Sequence, residues 1–147
     1  AERLAAPGLL PKKIAEGKVM QLEGRVFPHH SFHVLHINFM TKKVEPALAN
    51  VDACIVQWGK VKEVQGGEML VAGIRLAAGD CGFNLKAVEK KVEAGFAIEA
   101  SAGDLVSIHW GFAVEKISKA QARLLEHYTR ENMRLVNRVR FARPSSP

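Results

Sequence analysis

The stretch Cys54-Ile55-Val56-Gln57-Trp58-Gly59-Lys60-Val61-Lys62-Glu63-Val64 alternates apolar and polar residues, and Gln65-Gly66-Gly67 separates it from a second β-rich run, Met69 to Ala77. A period of two puts alternate side chains on opposite faces of a strand, and the paired glycines accept the positive φ that a tight hairpin needs. The segment therefore reads as a β-hairpin that starts at Cys54. On this alternation Cys54 shares a face with Val56 and Trp58, which is the side expected to meet the core.

More strand signals follow downstream. Gly79-Asp80-Cys81-Gly82 is a turn, and Leu85 to Val92 fits a helix (Leu85, Val88, Val92) as well as an alternating strand (Val88, Lys90, Val92). Ala102-Gly103-Asp104 turns into Leu105 to Ile117, which reads as one long apolar strand. Upstream, Phe32 to Met40 is rich in β-branched and aromatic residues and predicts a strand, and Pro46 to Asn50 predicts a short helical connection ending before Asp52. Several short strands at this spacing suggest a small barrel of the OB kind.

The C-terminal end changes period. Ser118 is a good N-cap, and Gln121 three residues on completes a capping box. Leu124, Leu125, Tyr128, Leu135, Val136 and Val139 recur at helical spacing with the arginines opposite, and Pro144 ends the pattern. These signals predict a helix over 118–140. The expected fold class is mainly β: an OB-like β-barrel with an N-terminal extension and a C-terminal amphipathic helix. Residues 1–25, punctuated by Pro7, Gly8, Pro11, Gly17 and Gly24, read as a lead-in or the remnant of an upstream region, and 26–147 as a single domain. The opening Ala-Glu-Arg-Leu, without methionine, fits a fragment or a processed product.

At 147 residues the chain is the size of one domain and can bury roughly 68–70% of its unfolded surface. With 48% hydrophobic and 24% charged residues it reads as globular rather than disordered, and its apolar runs are strand-sized, so no membrane span is expected. Two cysteines are too few for a disulfide scaffold, and no secretory leader is recognisable, which points to a reducing cytoplasm. The net charge of +6 favours acidic partners. Arg123, Arg130, Arg134 and Arg138 give the last helix a basic face, so nucleic acid bound along an OB-like barrel is one reading of the chain. Aromatic residues are only 7%, which leaves few stacking platforms for bases.

Absences narrow the chemistry. The chain has no phosphate-cradling GxxxxGK[ST], no nucleophile elbow, no HExxH and no CxxC, so nothing requires an enzyme. Cys81 in Gly-Asp-Cys-Gly has no base at recognisable spacing. His29, His30, His33 and His36 crowd into one short stretch, and imidazoles suit zinc or nickel, with His30 and His33 as candidate ligands. On a strand, however, His33 and His36 point to opposite faces; only a helix or sharp turn gathers them. Cys54 reads as a small buried hydrophobe, or as a thiolate favoured by Lys60 and Lys62 if exposed. His109 alternates with Ser107 and Leu105, opposite Val106, Ile108 and Trp110, and reads as a wet surface histidine.

The run Gly103-Asp104-Leu105-Val106-Ser107-Ile108-His109-Trp110-Gly111-Phe112-Ala113, continuing to Ile117 and followed by Ala120 and Ala122, resembles the end of HypC-type [NiFe]-hydrogenase maturation chaperones. Those proteins carry G-D-x-V-x-V-H-x-G-F-A-x-x-x-I before a C-terminal helix. Their barrel opens on a cysteine, which Cys54-Ile55-Val56-Gln57-Trp58-Gly59-Lys60-Val61 resembles, with Trp58 where the family has proline and an extension where the family has a free end. The similarity covers about residues 54–130. Residues Phe32 to Asn137 also resemble the C-terminal part of an uncharacterised family often encoded beside [NiFe]-hydrogenases, through His30-Ser31-Phe32-His33, Cys54 to Gly59 and His109-Trp110.

The resemblance implies a role for particular residues. In HypC-type proteins the cysteine and the histidine hold iron with its cyanide and carbonyl ligands, and the cysteine mediates docking. Those positions are Cys54 and His109 here. The function so implied is a non-enzymatic accessory domain that binds hydrogenase-maturation proteins or the immature large subunit, with iron carried transiently. Partner contacts are assigned to Cys54, Trp58, Trp110 and Phe112.

Overall fold

The computed structural model describes residues 29–37, 47–80, 82–95 and 98–141. The 1–25 lead-in and Cys81 lie outside the described residues. Five strands form a closed ring in the order β1-β2-β3-β5-β4: β1 (Gln57–Gln65), β2 (Glu68–Gly79), β3 (Gly82–Ala94), β4 (Leu105–His109) and β5 (Phe112–Lys116).

The hairpin at Gly66-Gly67 forms as its sequence requires, with φ of 58° and 87° at the two glycines. β1 and β2 pair from Gln65↔Glu68 to Gly59↔Gly73, with a bulge between Val61 and Glu63. The ambiguous Leu85–Val92 segment is strand. It lies inside β3, which pairs with β2 from Glu68↔Glu93 to Gly79↔Gly82 and so gains a continuous ladder that an isolated helix could not match. β3 then meets β5 in parallel at Glu93↔Phe112, and β4 pairs with both β5 and β1 to close the ring. Inside lie Val61, Met69, Val71, Val92, Val106, Ile108 and Ala113. Each fully buried branched side chain in such a core contributes about 1.5–3 kcal/mol.

Three secondary-structure expectations are corrected. Leu105 to Ile117 is two strands rather than one, because Trp110 (φ 52°) and Gly111 (φ 82°) both adopt positive φ. Two such residues in succession make the tight turn that matches strand twist. Phe32 to Met40 is not a strand where it is described. His30–Phe32 is a single α-turn, α1, that runs on as a π-helical turn over His33–Ile37. The His29 ring caps it by accepting from the Ser31 amide at 3.3 Å. Ser31, Phe32, Val34 and Leu35 are all buried, and only a helical path places them together against the rest of the fold. Local β-propensity yields to that tertiary packing.

Third, Cys54 does not begin a strand. It closes helix α2 (Leu48–Cys54), which runs past Asp52 rather than ending before it, and strand pairing starts at Gln57. Asp52 explains the extension. Its carboxylate accepts from Gln57 Nε2 at 2.6 Å and from the Leu76 amide, which pins α2 to β1 and β2. Gln57 in turn accepts from Lys90 Nζ, which also donates to the Ile74 carbonyl at 3.0 Å.

Helix α3 (Lys119–Phe141) follows the capping box as expected: Gln121 N donates to Ser118 Oγ at 3.2 Å, and Ser118 N donates to Gln121 Oε1 at 2.8 Å. Its Met133 and Val136 join Val34, Leu35, Val51, Ile55, Leu76 and Phe83 in a second core between the helices and the barrel. Asn137 clasps the start of β3 by accepting from Phe83 N (2.8 Å) and donating to Phe83 O (2.9 Å). Leu124, placed on the apolar face by its spacing, is instead 53% exposed.

Candidate functional site

The fold brings three elements to one rim of the barrel. α1 supplies His30, the last residue of α2 is Cys54, and the last residue of β4 is His109. Their ligand atoms all lie within 4.8 Å of one another. His30 is exposed, whereas Cys54 and His109 are half-buried. Cys54 packs at the margin of the second core.

Hydrogen bonds fix the arrangement. The Cys54 carbonyl accepts from His30 Nε2 at 2.9 Å and from His109 Nε2 at 3.0 Å. Both bonds need the proton on Nε2, which leaves Nδ1 as the lone-pair nitrogen of each ring. The rings meet edge to face, with centroids 5.3 Å apart. One residue beyond His109, the Trp110 amide donates to the Ala53 carbonyl at 2.9 Å, so the β4–β5 turn is tied to the end of α2.

The expected alternation does not describe Cys54, because a helical residue has no place in a period of two. His109 is likewise not simply wet: its ring is bonded to the Cys54 carbonyl. Nor does a lysine-stabilised thiolate describe Cys54, since burial pushes its thiol pKa up. A thiol of that kind binds a metal by giving up its proton.

The other assigned residues separate. His33 lies outside the three-residue group. His29 accepts a hydrogen bond from the Ser31 hydroxyl at 2.8 Å and stacks on Tyr128 with centroids 5.5 Å apart. Trp58, assigned to partner contact, is only 9% exposed and packs with Ile117 and Ala122, so it is a core residue. Trp110 at 53% and Phe112 at 44% exposure are the aromatic surface beside the site. Arg123, Arg130, Arg134 and Arg138 are all exposed on α3. Arg130 pairs with Glu126 at 2.8 Å, and Arg134 pairs with Glu131.

His30 is the residue whose position the sequence could not place. The histidine cluster carries the signal that makes His30 a candidate ligand, but only the α-turn His30–Phe32 brings it to Cys54 and His109.

Residues 12–143 match a family of unknown function, DUF6390. The chain belongs to that family. The matched range includes all three residues of the DUF6390 rim. No curated protein matches the chain. No helix among the described residues is long and apolar enough to cross a membrane.

Proposed function

We propose that this DUF6390 chain is a HypC-like accessory domain for [NiFe]-hydrogenase assembly. In this reading it is a non-enzymatic chaperone of the cytoplasm that binds maturation proteins or the immature large subunit and carries iron transiently. The observation that supports it most is the meeting of Cys54 and His109, within 4.8 Å, at an open edge of the barrel.

The donor set fits such cargo. A thiolate and a neutral imidazole suit first-row transition metals of intermediate softness, and iron is among them. Cys54 and His109 would hold the iron, and the cyanide and carbonyl ligands would arrive with it as cargo. Exposed Trp110 and Phe112 flank the same edge, and aromatic residues of that kind are common anchors of protein interfaces.

The test is co-purification from the native host under anaerobic conditions. Wild-type chain should bring down hydrogenase-assembly proteins, and Cys54→Ala should lose them while its circular dichroism stays native. Equal recovery by that variant removes the docking role of Cys54. Infrared spectra of the wild-type preparation should carry cyanide and carbonyl stretches. Spectra without them reduce the role to protein binding.

A further inference from the structure

We infer that His30 is a third protein ligand, completing with Cys54 and His109 a site of two imidazole nitrogens and one sulfur for a borderline divalent metal whose remaining coordination position is open. The inference deepens the proposed iron-carrying site and uses the same sulfur and imidazole, but it does not depend on any hydrogenase partner.

Three observations carry it. The ligand atoms come from three separate elements and converge without any one of them being a sequence neighbour of another. Random surface histidines have no reason to do so beside a cysteine. Next, the two imidazoles are held by a single acceptor, the Cys54 carbonyl, at 2.9 and 3.0 Å. That acceptor belongs to the cysteine itself, so the backbone bond keeps both rings beside the sulfur. Finally, the donor chemistry is one sulfur and two imidazole nitrogens, with no carboxylate in the group, which selects zinc-like ions over calcium or magnesium.

The geometry needs only a modest adjustment. Bond lengths of about 2.3 Å to sulfur and about 2.1 Å to nitrogen put tetrahedral donors roughly 3.5 Å apart. Donors within 4.8 Å of one another reach that separation by movements of about 1 Å, within the reach of side-chain torsions. Three protein ligands leave a fourth position for a water or a delivered ligand. Because His30 sits on α1, metal binding would also lock the segment before the barrel onto its rim.

Cobalt(II) is the probe, titrated anaerobically into the full chain with a phosphine reductant. The wild type should bind one equivalent and develop the near-ultraviolet band of a cobalt–thiolate bond. Cys54→Ala should lose the band. His30→Ala should keep it but bind at least about tenfold more weakly, the scale on which even outer-sphere partners matter. His33→Ala should match the wild type. A wild type without the band overturns the site, and wild-type affinity in His30→Ala overturns the third ligand. If His30→Ala loses its native circular dichroism, His30→Gln decides instead: it can still donate to the Cys54 carbonyl but is a poor ligand, so weakened binding supports the site and unchanged binding overturns it. Co-purification and cobalt binding are separate readouts, so the assembly role and the metal site can fail independently.

Discussion

His109 Nε2 lies 3.0 Å from the carbonyl oxygen of Cys54, joining the end of β4 to the end of α2 across 55 residues of chain. That bond sets the distance between a thiol and an imidazole that the sequence could only list separately. The adjoining hydrogen bond from the Trp110 amide to the Ala53 carbonyl reinforces it at 2.9 Å, so the ends of α2 and β4 are joined through backbone rather than through flexible side chains alone.

The two tryptophans should behave differently when truncated. Trp58→Ala opens a cavity among Ile117, Ala122 and their neighbours and should cost about 3–5 kcal/mol. Trp110→Ala removes an exposed ring and should change stability by no more than about 0.5 kcal/mol. Denaturant unfolding measures both. In the proposed docking role, only the second variant should retain its fold while losing its partner.

Asp52 holds α2 in place, so Asp52→Ala should cost about 1–3 kcal/mol by leaving the Leu76 amide without its side-chain acceptor and Gln57 Nε2 with only the backbone carbonyl of residue 52. Cys54 lies two residues beyond, at the end of the same helix. Its alkylation rate should therefore rise in this variant, and an unchanged rate would mean that α2 is held by packing alone.

Gly59 of β1 faces Gly73 of β2. A Cβ there would meet the Val71 side chain, the Ala72 carbonyl oxygen at 2.9 Å and the Gly73 Cα at 2.9 Å. Gly59→Ala should destabilise by about 1–3 kcal/mol, in the range of overpacked sites. Gly79→Ala, where nothing lies within 4 Å, is the control and should be close to neutral in thermal unfolding.

Asp104 should report on acid stability. A hydrogen bond from Lys116 (2.8 Å) and one from the Ser101 amide (2.8 Å) hold its carboxyl pKa below the ordinary value of 3.8. A carboxylate with a depressed folded pKa stabilises the fold above its unfolded pKa, and loses that contribution as pH falls through the folded value. Stability measured from pH 5 downward should therefore fall less steeply in Asp104→Asn than in the wild type. Parallel curves would mean that the pair is too well solvated to matter.

Local residue patterns suffice for the hairpin at Gly66-Gly67, the Ser118–Gln121 cap and the course of α3, because turn chemistry, capping and period act within a few residues. The sequence also singled out Cys54, His109 and the histidine cluster. The rest follows from long-range packing. The run from Phe32 has the residues of a strand, yet burying Phe32, Val34 and Leu35 on one side requires a helical path, and that path carries His30 to the rim. Trp110 is an unfavourable residue for positive φ, so the turn that divides Leu105 to Ile117 is set by ring closure rather than by residue preference. Which groups meet across the barrel depends on strand pairing between distant residues, and no local pattern encodes it.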